Sequence, residues 1–204
     1  MTTLDNALAL NQLFEKHGTD KSRNHYALPY ARFFPDKQDE AVRLVEIGVR
    51  TGDSLRAWRE YFPNGSIMGI DINPDCKAVE QPGISVFIGD QSDKKFLRHF
   101  CETQGPFDII IDDGSHEPAD QQVSFAAIWP HVNPGGLYVI EDIGCSQLAR
   151  FSKKPHKKTT PEMIGGWMQS ILLAARATAT PEIYVFCNIA VIVKPSAWIW
   201  KETP

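Results

Sequence analysis

The chain has 204 residues, 43% hydrophobic and 23% charged, which is enough apolar content for one packed domain. A formal net charge of −4 and a pI near 5.9 argue against a general nucleic-acid or membrane-surface binder. Cys76, Cys101, Cys145 and Cys187 stand far apart with no C-x-x-C pair, the pattern of reduced thiols in a cytoplasmic protein and not of a disulfide framework or zinc site. Residues 1–10 carry Asp5 and no basic residue, unlike a secretory signal, and the longest apolar stretch, 163–177, is broken by Gln169, Ser170 and Arg176. The expectation is a soluble, cytoplasmic protein with no nucleic-acid and no membrane partner.

In chain order, apolar residues at 4, 7, 8, 10, 13 and 14 predict an amphipathic helix over 4–17, stopped by Gly18. A polar stretch, 18–24, leads to a short aromatic helix over 26–34, closed by Pro35. From Val42 onward, β-branched runs at 42–47, 67–72, 84–88, 107–111 and 137–140 read as buried parallel strands. Helices are predicted between them at 53–61, around 76–80, at 93–103 and at 118–132. A long helix over 161–178 is followed by strands at 182–187 and 190–194, too close together for anything but an antiparallel hairpin. The expected fold is a doubly wound, mostly parallel α/β sheet of seven strands ending in that hairpin. It is read as a single domain over 1–204, with a helical lid segment at 1–40 and a core at 41–204.

The first strand runs into Glu46-Ile47-Gly48-Val49-Arg50-Thr51-Gly52, an acid followed by G-x-x-x-G, with Ser54 in the helix beyond. Neither the dinucleotide fingerprint nor a phosphate-binding loop is present, which suits a ligand without phosphates such as S-adenosylmethionine. A tight strand-to-helix turn explains the two glycines equally well. Asp71 closes the second strand, where a carboxylate can accept ribose hydroxyls. Asp90, followed by Gln91 and Ser92, closes the third, where it can meet an adenine amino group. With Asp112 after the fourth strand, these acids fall at the carboxyl ends of four consecutive strands, the edge at which open α/β sheets bind ligands. Cofactor binding is therefore expected at Glu46, Gly48, Gly52, Ser54, Asp71, Asp90, Gln91, Ser92 and Asp112.

The fourth strand ends in Asp112-Asp113-Gly114-Ser115-His116 and the fifth in Glu141-Asp142. Clustered carboxylates repel unless a cation lies between them, and a hard ion with oxygen ligands, Mg²⁺, fits Asp113, Glu141 and Asp142. His116, three residues past Asp113, offers an imidazole that can act as general base toward a hydroxyl nucleophile. The bland alternative is a helix-capping loop with Asp113 or Ser115 as the cap and His116 on the surface.

These blocks, together with Gly18-Thr19-Asp20-Lys21, Tyr26 and Tyr30, resemble the metal-dependent sugar O-methyltransferases of natural-product biosynthesis, over nearly the whole chain. The resemblance implies the Rossmann-like class I methyltransferase fold, S-adenosylmethionine as cofactor, Mg²⁺ at Asp113, Glu141 and Asp142, and His116 as base. It also implies a small-molecule glycoside acceptor. The G-T-D-K segment looks like a cover over the cofactor, with Thr19 and Lys21 as contacts. The alternatives are a catechol-type O-methyltransferase and a non-catalytic cofactor-binding module. Trp58, Trp129, Trp167, Trp198 and Trp200 are read as core residues before acceptor wall. The basic run of Arg150, Lys153, Lys154, Lys157 and Lys158 is an anion grip, a lid or a solvated loop. Apolar stripes at 4–14 and 163–173 are core faces first and homo-oligomer contacts second.

Overall fold

The computed structural model describes residues 2–151, 158–173 and 181–196. The expectations for Lys153, Lys154, Lys157, Trp198, Trp200 and the helix beyond Leu173 lie outside the described residues. The chain divides into two compact units, Met1–Asp90 and Gln91–Pro204.

In the first unit, helix α1 (Thr3–His17) opens with a capping box. Thr2 Oγ1 accepts from Asp5 N at 3.2 Å, and Asp5 Oδ2 accepts from Thr2 N at 2.8 Å. It ends at Gly18, whose φ of +77° closes the helix in the left-handed region. Ala7, Leu10 and Phe14 bury one stripe of it, while α2 (Ala27–Phe33) buries Ala27, Tyr30 and Ala31. Strands β1 (Arg43–Ile47), β2 (Ser66–Asp71) and β3 (Ile84–Ile88) pair in parallel, Leu44 opposite Ile67 and Ile67 opposite Ile84. Helix α3 (Asp53–Tyr61) connects β1 to β2. The expected helix near 76–80 is a 3₁₀ segment, Pro74–Val79, started by Asn73, whose side chain accepts from Asp75 N. Trp58 is fully buried among Phe14, Tyr30 and Phe34, with ring centroids at 5.1, 4.9 and 5.6 Å. This aromatic cluster fastens α1 and α2 to α3.

In the second unit, α4 (Lys94–Gln104) is capped by Asp93, which accepts from Lys95 N and Phe96 N. Strand β4 (Phe107–Asp112) and strand β5 (Val132–Glu141) are parallel. Helix α5 (Pro118–Ile128) is shorter than its sequence pattern predicts, because Pro130 has no N–H to continue it and the chain turns into a 3₁₀ segment, Trp129–His131. β5 in turn begins five residues earlier than expected. Its Asn133-Pro134-Gly135-Gly136 stretch reads as a loop, yet Gly135 N donates to Lys194 O and Lys194 N to Gly136 O. A register shift opposite Phe107–Ile109 absorbs the extra residues. Helix α6 (Thr160–Leu173) precedes β6 (Glu182–Val185) and β7 (Ile189–Val193), an antiparallel hairpin whose second strand also pairs antiparallel with β5. The strand order is β3-β2-β1-β4-β5-β7-β6, the mostly parallel seven-stranded arrangement expected. Among the described residues no helix is long and apolar enough to cross a membrane.

Gly69 tests how tightly the first unit is packed. A methyl group there would lie 2.5 Å from Val49 Cγ2 and 2.8 Å from Leu55 Cδ1. Gly69→Ala is expected to cost about 1–3 kcal/mol in urea unfolding; unchanged stability would show that β2 and α3 can move apart.

Candidate active site

Within the first unit, three residues of the turn after β1 have positive φ: Gly48 (+96°), Arg50 (+52°) and Gly52 (+77°). A side chain at Gly52 would also collide with Val79, its Cβ only 2.2 Å from Cγ1. This glycine serves the tight turn whatever else it does. Asp71 holds the same turn from β2. Its Oδ2 accepts from Val49 N (2.8 Å) and Arg50 N (3.0 Å), and its Oδ1 from Asn73 N (2.8 Å). Desolvation acts to raise its pKa, but the bonds from Asn73, Arg50 and Val49 and from the Cys76 thiol together outweigh it and lower it. Half-buried Asp90 follows Gly89, whose N donates to Asp71 O at 2.9 Å.

Glu46 and Lys21, both expected to touch the cofactor, lie against each other. Lys21 Nζ lies 2.9 Å from Glu46 Oε1, with side chains 1% and 0% exposed. Glu46 Oε2 accepts from Ser54 Oγ at 2.7 Å and from Trp58 Nε1 at 3.2 Å, so Ser54 is engaged there too. Thr19 is buried, and its carbonyl accepts from Ser22 Oγ at 3.1 Å. Arg50 and Asp20 form an exposed pair at 3.6 Å. The G-T-D-K segment thus meets the glycine turn through Asp20 and the strand before it through Lys21.

Within the second unit, Asp112 is wholly enclosed, not open to a ligand. Its Oδ1 accepts from Gln91 Nε2 (3.2 Å), and its Oδ2 from Ser124 Oγ (2.5 Å) and Tyr138 OH (3.1 Å). Desolvation raises its pKa against the lowering effect of these donors. Gln91 Oε1 accepts from Ser115 N at 2.7 Å, so the buried amide braces the loop that carries His116. Ser92 is half-buried. Ser115 Oγ donates to Asp120 Oδ2 at 2.9 Å and accepts from Glu117 N at 3.2 Å, which is part of the helix-start role considered for it.

Asp113, His116 and Asp142 converge. One potential ligand atom from each lies within 4.8 Å of the other two, all on half-buried residues. His116 Nε2 is 3.7 Å from Asp142 Oδ2, while His116 Nδ1 is buried with no hydrogen-bond partner among the described residues. His116 (φ +57°) and Asp142 (φ +54°) are both left-handed. Glu141 is buried as the last residue of β5 and is not one of the three.

Two neighbours carry no signal in the sequence. Phe151 meets the His116 ring edge-on at 5.3 Å, and Asn188, in the hairpin turn, donates from Nδ2 to Asp142 Oδ1 at 2.7 Å. Burial, with Asp142 and Asp113 close by, pushes the Cys145 thiol up and keeps it protonated.

The profile of a family described as a methyltransferase domain matches residues 45–143, from β1 through Asp142. That stretch of this chain is similar to a methyltransferase domain. The chain is 46% identical to a mycinamicin VI 2''-O-methyltransferase of Micromonospora griseorubida over 66% of its own length and 36% of that protein. It is 41% identical to an 8-demethyl-8-alpha-L-rhamnosyl tetracenomycin-C 2'-O-methyltransferase of Streptomyces olivaceus, over 67% of this chain and 38% of that one. Among solved structures, a MycE methyltransferase from the mycinamycin biosynthetic pathway, in complex with Mg, SAH and mycinamycin VI, superposes with a TM-score of 0.82 at 34% identity. That match covers 91% of this chain and 53% of that one. The chain therefore spans about half, or less, of the length of these relatives.

Two experiments probe the buried acids. Lys21→Met leaves Glu46 charged and uncompensated and is expected to cost about 3–5 kcal/mol in urea unfolding, a loss partly recovered in Lys21→Met/Glu46→Gln. An equal loss in the double variant would show that the two do not act as a pair. Asp112→Asn keeps an acceptor for Ser124 and Tyr138. Because the folded-state pKa of Asp112 is raised above 3.8, the unfolded chain gives up that proton first. Wild type should lose stability relative to Asp112→Asn as pH rises from 3.8 through the folded value, and the gap should be constant above it. A gap independent of pH in paired urea titrations would mean that Asp112 titrates alike in both states.

Proposed function

We propose that this methyltransferase domain moves the methyl group of S-adenosylmethionine to a sugar hydroxyl of a glycosylated natural product, with Mg²⁺ bound beside the acceptor. The convergence of Asp113, His116 and Asp142 carries the reading. Two carboxylates and an imidazole with a buried, unsatisfied nitrogen are a costly group to assemble without a ligand. Their oxygens suit a hard divalent ion, with Glu141 adding negative charge from the end of β5. When bound, such an ion lowers the pKa of a coordinated hydroxyl. The relatives' names, two sugar O-methyltransferases and a structure holding Mg and SAH, support the same assignment.

His116 Nε2 faces the acids and takes the proton of the attacking hydroxyl. Asp142 Oδ2, 3.7 Å away, stabilises the imidazolium that results. On the cofactor side, the turn 48–52 and Asp71 fit a nucleoside carrying no phosphates. Asp71 is ionised and fixed at the tip of β2, and the next side chain, Ile72, is 67% exposed, an apolar surface for a purine. Asp90 is a proposed polar contact for the nucleoside, while Glu46, Lys21 and Thr19 in the first unit, and Gln91 and Asp112 in the second, act by bracing. The methyl group of a sulfonium donor is already electrophilic, so this chain's residues are needed for orientation and for removal of the hydroxyl proton.

The test is methyl transfer from S-adenosylmethionine to a deoxysugar glycoside, with a catechol as the competing acceptor. Chelator should abolish turnover and Mg²⁺ restore it, and His116→Ala should lower kcat by about 10²–10⁴-fold with S-adenosylhomocysteine affinity unchanged. Full turnover in chelator would remove the metal, and undiminished turnover in His116→Ala would remove the base.

A further inference from the structure

Asp142 stands at the end of β5 in a left-handed conformation, and one residue of the distant β6–β7 turn holds it there. Asn188 makes three contacts with the 142–144 segment. Its Nδ2 donates to Asp142 Oδ1 at 2.7 Å, its Oδ1 accepts from Gly144 N at 2.8 Å, and its carbonyl accepts from Ile143 N at 3.2 Å. The first occupies one carboxylate oxygen and leaves the other, Oδ2, on the side of His116. The second and third fix the backbone immediately after Asp142, so the carboxylate is constrained at its tip and at its base. Gly144 fits this contact closely, since a Cβ there would lie 3.0 Å from Asn188 Oδ1. Asn188 itself has an ordinary backbone, absent from the positive-φ residues, so the hairpin does not require asparagine for its turn.

We infer that Asn188 is a positioning residue for the cation site. By holding Oδ1 of Asp142 it aims Oδ2 at the ion, and so couples the C-terminal hairpin to metal affinity. The inference rests on the metal reading above. A hydrogen bond to a ligating carboxylate fixes its rotamer before the ion arrives, and loss of such a partner weakens metal binding by about 10–100-fold.

Mn²⁺ is the probe, titrated into the whole chain and followed by the loss of the free-ion EPR signal, which needs no turnover. Asn188→Ala is expected to bind Mn²⁺ at least about tenfold more weakly than wild type, with metal-free thermal unfolding and S-adenosylhomocysteine affinity unchanged. Asp142→Asn should bind weakly, and Asp142→Asn/Asn188→Ala no more weakly, because Asn188 acts through Asp142. Should Asn188→Ala itself unfold, Asn188→Ser, which keeps a short polar side chain in the turn, replaces it with the same expectation. Wild-type affinity in either folded Asn188 variant overturns the role of Asn188 while leaving the metal site standing. A further loss in the double variant overturns the route through Asp142. Wild-type protein that takes up no Mn²⁺ removes the metal reading, and this inference with it.

Discussion

The ion pair between Lys21 and Glu46 is the constraint on which the first unit depends. An ammonium and a carboxylate enclosed together are tolerable only if their remaining hydrogen-bonding capacity is met, and here Ser54 and Trp58 donate to the same carboxylate. Glu46 is thereby tied to α3 through two donors and to the segment after α1 through a third. The Trp58 indole that serves Glu46 is also the centre of the aromatic cluster holding α1 and α2. Charge and packing converge on one side chain, so the N-terminal helices cannot lift away without exposing a bare buried acid.

The second unit solves a similar problem with neutral partners. Asp112 is buried without a cation and relies on Gln91, Ser124 and Tyr138, which leaves its pKa raised. Gln91 then spans from that acid to the backbone of Ser115. The adjacent acid, Asp113, points to a different task beside His116 and Asp142. The last residues of the two strands, Asp112 and Glu141, are buried, while Asp113 and Asp142, the first residues past the strands, are half-buried and converge with His116.

These placements separate what can be read in the sequence from what cannot. The strands were legible from β-branched runs, and the hairpin from the short spacing between its two strands. The N-terminal half of β5 was not, because Pro134, Gly135 and Gly136 carry the composition of a loop while a register shift keeps them paired. Acids at strand tips are legible as a set, but their burial is not: Glu46 and Asp112, like Lys21, are enclosed by partners that only the fold brings together. His116, Asp113 and Asp142 lie close in space as their motifs suggested. Asn188, 46 residues beyond Asp142, is an ordinary turn residue by composition, and only the closing of the hairpin on β5 brings it to the acid.

His116 and Asp142 share a backbone conformation that L-residues resist by roughly 1–2 kcal/mol each. Glycine at either place would relax the chain while deleting a side chain that the proposed function needs. On that proposal, selection for robustness and selection for turnover pull these two positions in opposite directions. A lineage released from the proposed activity would be expected to drift toward glycine or asparagine there, becoming sturdier as it fell silent.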